Sequence, residues 1–169
     1  MERRVSDAEV LAEATRVLEA GRSRGLKIAT AESGTGGLVA GALTDIPGSS
    51  EVVERGFVAY SNDAKVEMLG VDEATLSAHG AVSRETAEAM AVGAIRRSIA
   101  DLSVAITGVA GPGGGSAEKP VGLMHFAAAS RDGRHAHREE RFGDIGRAEV
   151  RRRSVLVALE MLEKLANGE

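Results

Sequence analysis

The sequence predicts an α/β layered fold on a mixed sheet, and three observations carry that prediction. Short apolar runs that suit buried strands alternate with longer stretches of helical periodicity. Two of these runs lead directly into glycine-rich turns, the place where open α/β sheets build their sites. Near the C-terminal end Asp132-Gly133 separates two strand-like runs, a hairpin signal that adds antiparallel strands to parallel ones.

The elements follow in order. Ser6 and Glu9 have the spacing of a capping box, and Val10, Leu11, Ala14, Val17 and Leu18 recur behind them at helical spacing. Gly21 and Gly25 are available to end that helix. Lys27 to Ala31 reads as a buried strand and Leu38 to Leu43 as a helix. Gly56 to Tyr60 reads as a strand, with Asn62 or Asp63 capping the helix that Gly70 closes. Ser83 opens the clearest helix, with Ala87, Met90, Ala91, Ala94 and Ile95 on one face. Leu102 to Thr107 is a strand, followed by a Gly- and Pro-dense loop over 108–119. Val121 to Ala129 and His135 to Phe142 flank the hairpin, and Arg147 to Ala166 forms the last helix.

The chain has 169 residues, which suits one domain spanning 1–169 and allows a core without disulfides. Cysteine is absent, so thiol nucleophiles and zinc–thiolate sites are excluded. The 21 Lys and Arg against 25 Asp and Glu give a net charge of -4, which argues against a general nucleic-acid binder. Aromatics are 2% of the chain, too few for a base-stacking platform. The N-terminal stretch lacks an apolar segment after its charges, and no apolar run approaches the roughly 18 residues of a membrane span. A cytoplasmic location is the expectation.

Four segments can carry chemistry. Thr30-Ala31-Glu32-Ser33-Gly34-Thr35-Gly36-Gly37 joins a strand to a helix; Ser33 is either a nucleophile beside free helix-start N–H groups or part of an ordinary cap. The segment is neither a G-x-S-x-G elbow nor a Walker loop. Tyr60-Ser61-Asn62-Asp63-Ala64-Lys65 offers a base, since burial can lower a lysine pKa toward neutrality, or else Lys65 is a solvated helix residue. The loop with Gly108, Gly111 and Gly113, continuing to Lys119, can approach a phosphate or ring closely, or is a plain surface loop. Arg147, Arg151, Arg152 and Arg153 can hold a phosphate, or meet solvent or a second subunit. His135 and His137, with Glu139 at the next alternating position, could chelate a metal, but a solvated strand face accounts for them as well.

The run of TAES-TGGLVAGALTDIPGSS, RGFVAYSNDAK, HGAVS-ETA-AMA and AITGVAGPGGG with KPVG closely resembles the CinA C-terminal domain family. That resemblance implies a three-layer α/β/α sandwich that self-associates. It also implies hydrolysis of nicotinamide mononucleotide to the nicotinate form and ammonia, with no cofactor and no metal. It places the family's nucleophilic serine on Ser33, its motif threonine on Thr35, and its tyrosine and lysine on Tyr60 and Lys65. Gly34 and Gly36 would then supply backbone N–H groups, and the 108–115 loop with Lys119 or Arg147 would hold ribose and phosphate. Two departures stand out: Gly34 occupies a position where many relatives carry cysteine, and Gly143-Asp144-Ile145-Gly146-Arg147 replaces a shorter Gly-Asp-Arg. The competing readings are a non-catalytic nucleotide-binding module linked to competence or damage responses, and an amidohydrolase for another amide.

Overall fold

The computed structural model describes residues 4–169; Met1, Glu2 and Arg3 of the charged N-terminal stretch lie outside them. Five strands form one sheet in the order β2-β1-β3-β4-β5. They are β1 (Ile28–Glu32), β2 (Val53–Val58), β3 (Leu102–Gly108), β4 (Leu123–Ser130) and β5 (His135–Arg141). β2, β1 and β3 run parallel, and β4 and β5 add an antiparallel meander. Helices α1 (Asp7–Arg24), α2 (Leu38–Thr44) and α6 (Arg147–Ala166) cover one face. Helices α3 (Asn62–Leu69), α4 (Glu73–His79) and α5 (Arg84–Arg96) cover the other, completing three layers.

Side-chain alternation along the strands explains the two different faces. In β3, Leu102, Val104 and Ile106 pack with Phe126, Met124 and α6, whereas Ala105 joins Ala29, Ala31, Ala127 and Ala129 on the opposite side. The alanine-lined face lets α5 sit close, presenting Ala87, Ala91 and Ala94 in turn. Ser103 projects the same way and donates its hydroxyl to the Ala91 carbonyl (2.7 Å).

Most sequence-predicted ends hold. Ser6 Oγ accepts the Glu9 N–H (3.2 Å), and Gly25, at φ 64°, closes α1. Gly133, at φ 98°, turns the β4–β5 hairpin. Three readings are corrected. β2 begins earlier than Gly56 because Val53 already pairs with Ile28, and it ends at Val58. The cap of α3 is Ser61, whose Oγ accepts the Ala64 N–H (3.0 Å), rather than Asn62 or Asp63. α4, capped by Asp72, was not expected, since it buries no residue and so leaves no apolar stripe to read.

The topology sets the position of the site. From β1 the chain moves outward to β2, then crosses back to β3 on the other side of β1. The crevice at the carboxyl ends of β1 and β3 is thus a topological switch point, where ligands of open α/β sheets bind.

Candidate active site

Ser33 follows β1 directly and stands at this crevice, 9% exposed. Its N–H donates to the Ile106 carbonyl (3.1 Å), so the residue is still anchored to β3 as the chain leaves the sheet. Its carbonyl accepts the Gly36 N–H (2.9 Å) inside the turn. A trans peptide sets N–H opposite C=O, so the Gly34 N–H points away from the turn. Among the described residues that N–H has no acceptor.

Glu32, the last residue of β1, is 1% exposed and does a job the sequence reading did not assign. Its carboxylate accepts the Thr35 hydroxyl (2.7 Å) and the Val39 and Ala40 N–H groups (2.9 and 3.2 Å). It therefore caps α2 and neutralises the positive end of that helix. The helix-start N–H groups expected to face an anion are occupied by Glu32, and Thr35, 0% exposed, turns its hydroxyl inward to the same carboxylate. A carboxylate at the end of an otherwise apolar strand was the available signal.

Lys65 comes from the middle of α3 and is 1% exposed. Its Nζ lies 3.2 Å from Ser33 Oγ and 3.1 Å from the Tyr60 carbonyl. Burial pushes its pKa below the ordinary lysine value of 10.5. Among the described residues no carboxylate contacts the amine to restore its charge. A carbonyl only accepts, so Nζ donates to Tyr60; in its neutral form the amine would keep its lone pair for the Ser33 hydroxyl.

Tyr60 enters the site through its main chain. The residue is 62% exposed, and its phenol oxygen accepts from Arg147 Nη2 (3.3 Å). Arg147, in the first turn of α6, also donates through Nη1 to the Gly111 carbonyl (2.8 Å). One turn on, Arg151 Nε donates to the Gly34 carbonyl (3.1 Å), and its Nη2 lies 3.5 Å from the Thr35 carbonyl. Among the described residues neither guanidinium meets a carboxylate. The spacing of four that puts both arginines on one helical face was visible in the sequence; their targets were not.

The remaining candidates divide. Gly111 has φ 87° and lies over Val121, which suits a close turn after β3. Gly108 serves packing: a Cβ there would meet Met124 Sδ at 2.2 Å. Gly113 is exposed with open space about it, and Gly34 likewise has nothing within 4 Å of a Cβ position. Gly36, at φ 59°, takes a backbone conformation that side chains disfavour. Lys119 donates to the His79 carbonyl (2.6 Å) and so ties the Gly-rich loop to the end of α4.

The histidines pair differently from the strand-face chelate considered above. His137 Nε2 lies 3.1 Å from His125 Nδ1 on the neighbouring strand, and Glu139 lies 3.6 Å from His125 Nε2. Burial lowers both imidazole pKa values, and His135 stays exposed. No group of three or more such residues among those described is placed to hold a metal ion. Nor is any helix among them long and apolar enough to cross a membrane.

Known proteins share this arrangement of strands and loops. Nicotinamide-nucleotide amidohydrolase PncC of Escherichia coli K12 is 49% identical over 159 residues, covering 94% of this chain and 95% of that protein. A CinA-like protein of Mycolicibacterium gilvum is 52% identical over 144 residues, which is 85% of this chain but 34% of that protein. The crystal structure of competence/damage inducible protein CihA from Agrobacterium tumefaciens superposes with a TM-score of 0.92 at 55% identity, covering 100% of both chains. Residues 11–166 match the CinA C-terminal domain, and with the fold and these relatives they show that this chain belongs to that family.

Proposed function

We propose that the chain hydrolyses the carboxamide of nicotinamide mononucleotide to the nicotinate form and ammonia, with Ser33 as nucleophile and Lys65 as its base. The observation that carries this reading is the buried Lys65 amine 3.2 Å from Ser33 Oγ, with its charged form disfavoured by burial. The relatedness to an amidohydrolase named for nicotinamide nucleotides supplies the substrate class.

In the first step the Ser33 hydroxyl proton passes to Lys65 Nζ as Oγ bonds to the carboxamide carbon. The C=O electron pair moves to oxygen, and the Gly34 N–H is the donor best aimed to meet it. Collapse breaks the C–N bond, and the leaving nitrogen takes the proton from Lys65 and departs as ammonia. Water then attacks the Ser33 ester, giving its proton to Lys65, which returns it to Oγ as the acid leaves. The balance is amide plus water to acid plus ammonia. Tyr60 holds the amine through its carbonyl, Thr35 with Glu32 positions the turn, and Arg147 offers its carboxylate-free guanidinium to the substrate phosphate beside Gly111.

The test is ammonia release from nicotinamide mononucleotide by the purified chain beside Ser33→Ala and Lys65→Ala. Both variants are expected to lose nearly all turnover, on the order of 10⁴-fold or more. Normal turnover by Ser33→Ala overturns the mechanism. A folded parent that releases no ammonia overturns the substrate and favours another amide or a binding module.

A further inference from the structure

The turn that carries Ser33 is unusually free by sequence. Three of the four residues after the serine are glycines, and Gly36 and Gly37 adopt φ 59° and 104°. Its two ends are fixed, at Ser33 by the Ile106 carbonyl and at the start of α2 by Glu32. Between them Thr35 is tied to Glu32 through its hydroxyl and its carbonyl accepts the Leu38 N–H, whereas the Gly34 carbonyl is held by one side chain. Arg151 reaches it from α6, 117 positions away from Gly34, and spends its guanidinium on the Gly34 carbonyl with the Thr35 carbonyl alongside. Arg151 is half-buried, meets no carboxylate among the described residues, and lies 3.4 Å from the position a Cβ on Gly36 would take.

We infer that Arg151 is a positioning residue for the nucleophile turn: its hold on the Gly34 carbonyl keeps the Gly34 N–H and Ser33 Oγ in register with Lys65. The inference rests on the serine mechanism proposed above. Two peptide planes meet at the Gly34 Cα. The first is set by the Ser33 carbonyl bond to the Gly36 N–H, and the second is set by Arg151. Release of the second plane frees the Gly34 backbone dihedrals, which no Cβ restrains. The Gly34 N–H lies in the first plane and is reached through the turn: with Gly34 free to rotate, the Gly36 N–H no longer stays opposite the Ser33 carbonyl, and the first plane with its N–H turns away from the developing oxyanion. Such a loss affects the transition state and leaves ground-state binding almost untouched. Arg147, by contrast, donates to the Gly111 carbonyl and the Tyr60 phenol, so the two arginines of one helical face hold different segments.

The experiment is steady-state kinetics of ammonia release for Arg151→Ala, Arg151→Lys, Arg152→Ala and Ser33→Ala, with Tm measured on each. Arg151→Ala is expected to lose about 10–10²-fold in kcat, the scale of a misplaced reacting group, with KM nearly unchanged. Arg151→Lys recovers part of the loss, because a point charge reaches one carbonyl but not two. Guanidinium ion at millimolar concentration restores turnover to Arg151→Ala and not to Arg151→Lys. Arg152, whose guanidinium pairs with Asp7 at the surface, leaves kinetics unchanged when replaced by alanine. Parent-level kcat in Arg151→Ala with Ser33→Ala inactive overturns this inference alone. A raised KM at constant kcat overturns it in favour of substrate contact, and a kcat loss that follows Tm overturns it in favour of a purely structural role. Activity surviving in Ser33→Ala overturns the mechanism as well.

Discussion

Lys65 is among the largest fully buried side chains of the described residues, and it is a cation in water. Burying an amine without a carboxylate partner disfavours its charged form, which is why its pKa falls. The folded state binds fewer protons than the unfolded one between the lowered value and 10.5, so stability from this group rises with pH across that window and is lost as pH falls through the folded pKa. The mechanism needs the neutral amine, so kcat/KM should rise with pH along a limb centred below 10.5; a limb at or above 10.5 in a pH–rate profile counts against Lys65 as base. Lys65→Met removes the buried amine while keeping the length of the side chain. It is expected to abolish turnover and to raise Tm at neutral pH, by about 2–4 °C for each kcal/mol of relief. A lowered Tm in differential scanning calorimetry would show that the hydrogen bonds of the amine outweigh its desolvation.

Elements dock here through absences of side chain as much as through side chains. Gly93, inside α5, faces the end of α3 so closely that a Cβ would stand 1.9 Å from the Leu69 carbonyl oxygen. Alanine is the better helix former by about 1 kcal/mol, yet Gly93→Ala is expected to destabilise, since overpacking costs about 1–3 kcal/mol or more. Because α3 carries Lys65, the same variant should also lower kcat; urea unfolding together with ammonia release checks both. Such docking limits what a sequence can disclose. The last helix was legible from Val150, Val157, Met161 and Leu165, which share one buried stripe, and α5 was legible in the same way. α4 was not, because it has no fully buried residue and only Leu76 packs on the core, and β2 was displaced because its residues are an edge strand with mixed exposure. At the site, Ser33 and Lys65 could be named because they stand in recognisable strings. Glu32 and Arg151 act through single carbonyls and amides of other segments, and no local spacing records such partners.

On the scale of the whole molecule, the large side chains fill one face of the sheet and alanines line the other, while the site draws on both, Lys65 from α3 on the alanine side and Arg147 and Arg151 from α6 on the other. Phe126, fully buried with Met124, Ile106 and α6, lies on the face opposite the alanine-lined side that receives α5. Phe126→Ala is expected to cost about 3–5 kcal/mol, a large share of a domain's stability, with kcat at low temperature close to the parent value. Calorimetry and low-temperature turnover read the two quantities separately, and a kcat loss without a Tm loss would contradict a purely structural role for Phe126. The long separation between Arg151 and the turn it braces also has a meaning in time. A ribosome making roughly 5–20 residues per second delivers Ser33, then Lys65, then Gly111, and reaches Arg151 only after about 6–23 s more than it took to make Gly34. Throughout that interval the proposed nucleophile and base are present without the brace, so the turn reaches its final geometry only when the last helix docks.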